Sequence, residues 1–381
     1  MKHLIDYCKY VFEDETNTEL RKQIIDYVNP KKHNEIRTQD LKKAYQILQS
    51  MTDEDFNKLK ELYKGNIEGL KSLIKILEKV GQKNQFLLAL NDKIKNNFPT
   101  FNDLKKENKG NIFELLKDNK FGINNIFNDS DSLDEFLKQL LQERYTIGNK
   151  GIGAGELFFI TLFQNTGHPK RGDVQIDDEE IEVKCSKNYS EDGPRLVAAK
   201  SNALKTVDDI SDYFEKQLLE KFDIKLKNVS RNSNDKIIIG SNKKYIDDIY
   251  NELKDSISEK DIMKLLLEMY FYQFNNLQKF KNEFDKFISQ FNKYDYNLLV
   301  KIHLCLSIIS YHTVDSWGWL MLIEYSRGNY YMFDGKKCSI NNFISNLKYL
   351  INNDNFRVGK KPANTDGSSQ RDIVAQIYIT K

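Results

Sequence analysis

Gly172-Asp173-Val174-Gln175-Ile176, the acids Asp177, Asp178 and Glu179, and then Ile181-Glu182-Val183-Lys184 make up the stretch that decides the fold. Two short apolar runs around a polar turn read as a β-hairpin. Side chains alternate along a strand, so Glu182 and Lys184 share one face while Ile181, Val183 and Cys185 share the other. The second set reads as core. The first is a charged pair on a half-buried strand, which costs free energy unless a cation compensates it. The plainer alternative is a surface hairpin whose acids and lysine are solvated.

Just upstream, Gly148-Asn149-Lys150-Gly151-Ile152-Gly153-Ala154-Gly155-Glu156 leads into Leu157, Phe159, Ile160 and Phe163, whose spacing is that of an amphipathic helix. Glu156 falls in its first turn, where it joins the acidic cluster or simply favours the helix dipole. The glycines lack the Gly-Lys-Ser/Thr ending of a P-loop, so a nucleotide cradle is not indicated. Three acids and a lysine from one helix and two adjacent strands suit metal-assisted hydrolysis.

Together these residues resemble the PD-(D/E)XK nuclease superfamily, the restriction-endonuclease-like fold. The resemblance rests on Glu156 in a glycine-led helix, Asp173 after a glycine, and Glu182-Val183-Lys184 as the E-x-K element. It covers about residues 145 to 240, and Gly193-Pro194-Arg195-Leu196 looks like the G-x-R-L element of some relatives. What it implies is an α/β fold with a mixed sheet flanked by helices. Asp173, Glu182 and the Val183 carbonyl would ligate magnesium, or manganese in its place. Glu156 would assist metal or water binding, and Lys184 would position or activate the water. The family usually has a strand between the first helix and the Asp strand. Thr166 to Arg171 leaves little room, so that strand is either very short or supplied elsewhere.

The resemblance implies DNA as substrate, and a restriction-type or phage-encoded endonuclease as the subclass. An RNase, or a non-catalytic DNA-binding or structural protein on the same fold, is the alternative. Lys187, Arg195 and Lys200 follow the E-x-K strand, and Arg371 flanks the polar loop Asn364 to Gln370; these are the candidate DNA contacts. Oligomeric state is open, a homodimer included.

A chain of 381 residues, 40% hydrophobic and 12% aromatic, can bury well-packed cores in two or three domains. The net charge of +2 averages over 30% charged residues and leaves nucleic-acid binding open. Cys8, Cys185, Cys305 and Cys338 include no C-x-x-C pair, which disfavours a zinc finger or a disulfide scaffold. Met1 to Lys9 lacks a signal peptide's apolar stretch, and the run from Leu304 to Tyr311 is too short for a membrane span. A cytoplasmic protein is expected, and the abundant Lys, Asn and Ile suit an AT-rich bacterial or phage genome.

Four regions are expected: a helical N-terminal region 1–144, the nuclease core 145–245, a helical segment 246–312 and an α+β region 313–381. In the first, Leu41, Ala44, Tyr45 and Leu48 form one stripe and Leu70, Leu73, Ile74 and Leu77 another. Ser132 with Glu135 reads as a capping box opening a helix. In the core, a helix through Ile210, Tyr213, Phe214 and Leu218 precedes Lys236 to Gly240, which reads as a buried strand completing the nuclease sheet. The phenylalanines from Phe271 to Phe291 read as helical core rather than a base-stacking platform. Ser326-Arg327-Gly328-Asn329 marks a hairpin turn, and Phe356 to Val358 with Ile373 to Thr380 the closing strands.

Overall fold

A computed structural model describes residues 98–118, 120–121, 123, 130–142, 145–147, 150–152, 155–167, 171–186, 196, 203–238, 240, 242–359 and 376–380, with Lys22, Thr52 and Asp53. The N-terminal stripes expected at Leu41 to Leu48 and Leu70 to Leu77 lie outside these residues. The chain is of the mixed α/β class and divides into two compact units, Met1–Cys185 with Tyr325–Tyr330, and Ser186–Glu324 with Tyr331–Lys381.

In the first unit, α1 (Phe101–Lys105), β1 (Lys109–Asn111), α2 (Ile112–Lys117) and α3 (Ser130–Gln142) come first. The strand β1 interrupts a region that reads as helical. Its Lys-Gly-Asn sequence carries no apolar alternation, and Gly110 is where it lies against the Tyr330 ring, 3.2 Å from where a Cβ would stand. Asn111 caps α2 by accepting from the Phe113 and Glu114 N–H groups. It also donates to the Arg327 carbonyl at 2.8 Å, anchoring the turn Tyr325 to Gly328 whose Gly328 has φ +78°. In α3, Leu133, Phe136, Leu137, Leu140 and Leu141 are buried as expected, but the helix already includes Ser130, so Ser132 lies inside its first turn and is not the cap.

The glycine-rich stretch holds a small antiparallel hairpin, β2 (Tyr145–Ile147) and β3 (Lys150–Ile152), before α4 (Glu156–Leu162). The buried Phe158, Phe159, Leu162 and Phe163 seat α4 against α3 and against the strands that follow. Those are β4 (Thr166–Gly167), β5 (Val174–Ile176) and β6 (Glu179–Ser186), antiparallel in that order. The strand before the Asp strand is thus present and only two residues long.

The second unit is mostly helical: α5 (Val207–Phe222), α6 (Lys243–Leu253), α7 (Glu259–Tyr272), α8 (Lys281–Ile288) and α9 (Tyr296–Asp315). Thr206 and Asp209 form the capping box of α5. Phe271, Phe274, Phe284 and Phe287 are buried, as core phenylalanines should be. By length and composition α9 could cross a bilayer, yet 67% of its apolar window is buried as the unit's central helix. Lys301 on α9 donates to the carbonyls of Asn353 (2.8 Å) and Phe356 (2.6 Å). Strands β7 (Trp319–Glu324) and β8 (Asn329–Asp334), α10 (Phe343–Ile351) and the antiparallel pair β9 (Phe356–Val358) and β10 (Ile377–Ile379) close the chain.

Lys236 to Gly240 corrects the expected topology. Among the described residues, Ile237 forms an isolated bridge to Arg231 and belongs to no strand of the sheet that carries β5 and β6. Its N–H donates to Ser211 Oγ on α5 at 2.9 Å, and the Ile238 N–H to the Ser230 carbonyl at 2.9 Å. With donors satisfied by a helix side chain and a neighbouring loop, Ile237 and Ile238 need no sheet partner.

Candidate active site

The hairpin is held in shape by residues that do no chemistry. Asp177 turns the chain at φ +54°, and its carboxylate accepts from the Phe101 N–H (3.1 Å) and from Asn165 Nδ2 (2.8 Å). That commits Asp177 to the turn. Gly172 has φ +80°, and a Cβ there would lie 2.8 Å from the Ile181 carbonyl oxygen. The close approach lets the Asp173 N–H donate to that same oxygen at 2.9 Å, one step before β5 begins. Asp173 Oδ2 in turn accepts from the Val183 N–H at 2.9 Å. The carboxylate is thereby set against β6 at the height of the E-x-K element.

Alternation along β6 does the rest. Lys184 Nζ donates to Glu182 Oε1, which places both side chains on one face as their spacing requires. The same ammonium lies 3.6 Å from Asp173 Oδ2 and 3.5 Å from the Val183 carbonyl oxygen. Glu182 is 7% exposed, while Asp173 and Lys184 keep 27% and 29%, so the cluster is sunk into the fold with one side open to water. Burial pushes the Asp173 carboxyl up to about 6; Lys184 pulls it down, and the neighbouring Glu182 pushes it up again. Two carboxylates this close resist ionising together, which is the electrostatic setting in which a divalent cation is favoured.

The donor set fits a hard cation. Two carboxylates and a carbonyl are oxygen donors of the kind magnesium and manganese take, with remaining positions left to water. The Lys184 ammonium contacts Glu182 Oε1 and lies within 3.6 Å of the other two oxygens, so the three already surround one positive charge. Among the described residues, no three His, Cys, Asp or Glu side chains gather into one group. Glu156 therefore does not complete a three-acid cluster with Asp173 and Glu182. Gly155, at φ +99°, brings the start of α4 onto Val183 Cγ1 and Cys185 Sγ, which alternation puts on the other face of β6 from Glu182. Glu156 itself is 7% exposed in the first turn of α4.

Asp173, Glu182, Val183 and Lys184 are thus brought together, and Glu156 is buried at the start of α4. Lys187, Arg195, Lys200 and Arg371 lie outside the described residues. Sequence reading missed the supporting roles of Gly172, Asn165 and Asp177. The signal for the first was its place directly before the acid, and for the second the residue type, since Asn tolerates the left-handed backbone that Asn165 adopts at φ +50° before β4. His303, in the second unit, is fully buried against Tyr270, its Nε2 2.8 Å from Gln273 Oε1, and belongs to the core. Comparison with protein-family models, curated proteins and solved structures finds no match for this chain.

Proposed function

We propose that the protein is a metal-dependent phosphodiesterase that cleaves DNA as an endonuclease, with its centre on the β5–β6 hairpin. One observation supports the reading: Asp173 Oδ2, Glu182 Oε1 and the Val183 carbonyl oxygen all converge on the Lys184 ammonium, so three oxygen donors lie around one cation. That is the donor set the PD-(D/E)XK resemblance assigns to magnesium. Bound there, magnesium would neutralise phosphate charge and lower the pKa of a water.

The chain's own contributions follow from the geometry. Asp173 and Glu182 hold the ion and fix its distance from β6. The Val183 backbone supports it from the same side, and its N–H keeps Asp173 in orientation. Lys184 supplies a positive charge and three donors to hold a water or a phosphate oxygen. The Gly172 turn sets the height of the Asp against the Glu. Glu156, buried at the start of α4, is not counted among the ligands to that ion.

The test is to incubate the purified chain with supercoiled plasmid, single-stranded DNA and RNA, in magnesium, manganese or EDTA. The expected result is nicking or linearisation of DNA with either metal and none in EDTA. No cleavage of any nucleic acid with either metal contradicts the reading. Cleavage of RNA alone would move the substrate class.

A further inference from the structure

We infer that Lys184 is an internal competitor of the metal ion, so that the metal-free protein is held latched by its own ammonium. The inference rests on the reading of Asp173 and Glu182 as a metal site and extends it to regulation. Lys184 Nζ contacts Glu182 Oε1 and lies 3.6 Å from Asp173 Oδ2 and 3.5 Å from the Val183 carbonyl oxygen. These are the same three oxygens that would ligate a divalent ion. Two cations cannot share them, because like charges at this separation repel strongly in a partly buried setting. Metal entry therefore requires the ammonium to leave.

The side chain can do so. It is 29% exposed and carries its charge on a flexible four-carbon stem, so the head can swing into water. Until it swings, the ion pair neutralises the clustered acids, and the metal must displace a bound cation rather than enter an open site. A substrate phosphate offers the ammonium another partner. Phosphate binding and metal binding then favour each other through this one side chain, and by linkage the effect is reciprocal. A protein built this way takes up its metal most readily when nucleic acid is already present.

The experiment is titration calorimetry of manganese alone into the purified full-length chain, for wild type, Lys184→Met, Lys184→Gln and Lys105→Met. The second Lys184 variant covers the case in which the first folds poorly, and thermal melting checks all four. Lys105 lies 3.8 Å from Glu179 Oε1 near the far end of β6, away from the proposed ligands, and controls for general loss of positive charge. Expected is manganese binding at least about tenfold tighter in either Lys184 variant, with Lys105→Met within about twofold of wild type. Binding by a Lys184 variant with none by wild type supports the latch more strongly still. Equal or weaker binding in both folded Lys184 variants, where wild type binds, overturns the latch and leaves the metal site standing. Tightening by Lys105→Met as large as that at Lys184 also overturns it. Binding by none of the four removes the metal site itself and the latch with it.

Discussion

Gly172 lies so close to Ile181 that a Cβ in its place would stand 2.8 Å from the Ile181 carbonyl oxygen and 2.9 Å from its carbon. This backbone-on-backbone approach sets where Asp173 meets β6. A side chain there faces two penalties, the positive φ and the clash, and a backbone carbonyl cannot rotate away as a side chain can. Gly172→Ala should cost on the order of 2–3 kcal/mol in urea denaturation. It should also weaken metal binding, because Asp173 moves with the turn. A loss below about 0.5 kcal/mol would show that the turn adapts freely.

Asp173 gives a pH prediction with a definite sign. Its carboxyl titrates near 3.8 when unfolded and near 6 when folded, with burial the main cause. The folded state holds the proton more tightly, so the stabilising contribution is complete below pH 3.8 and is lost as pH rises through about 6. Asp173→Asn, which mimics the protonated form, should stabilise the metal-free protein at neutral pH by on the order of 2 kcal/mol. The gap from wild type should close as pH falls to 4. Denaturation midpoints across this range check it; a variant less stable than wild type at pH 7 contradicts it.

His303 predicts the opposite slope. Complete burial pushes its imidazole down to about 3 from an ordinary 6.5. Its contribution is present above 6.5 and is lost as pH falls toward 3. By pH 4 this costs on the order of 3 kcal/mol, and His303→Gln should flatten that acid limb, seen by thermal melting at pH 4 against pH 7. An unchanged limb would place the acid sensitivity elsewhere.

Much of the site could be read from the sequence because strand alternation is short-range and unambiguous. Once Ile181 and Val183 are core, Glu182 and Lys184 must share a face, and they do. The turn at Gly328 and the core phenylalanines were legible for similarly local reasons. Lys236 to Gly240 was not. A β-branched run marks a buried extended segment without saying what satisfies its N–H groups, and here Ser211 Oγ and the Ser230 carbonyl accept from Ile237 and Ile238. How α4 and its Glu156 stand to the hairpin was not legible, because a helix's first turn fixes no direction relative to a strand. That direction is set by Gly155 packing on Val183 and Cys185, a tertiary contact that carries no sequence pattern.

Arg195, in the Gly-Pro-Arg-Leu element, is proposed to fork onto a backbone phosphate. Arg195→Ala should weaken DNA binding and flatten its salt dependence, because counterion release scales with the phosphates neutralised. Fluorescence anisotropy across a salt series reads both. Unchanged affinity at every salt concentration with a lowered melting temperature would make the residue structural.

The most direct test of the central claim is plasmid cleavage in magnesium by Asp173→Ala and Glu182→Ala beside wild type, all purified identically so that contaminating nuclease is controlled. Removing either carboxylate takes away a proposed ligand while relieving the clustered charge, so both variants should remain folded. The expected result is cleavage by wild type and a loss of at least about a hundredfold in each variant. Either variant cutting at close to the wild-type rate would contradict the assignment of the site to the β5–β6 hairpin.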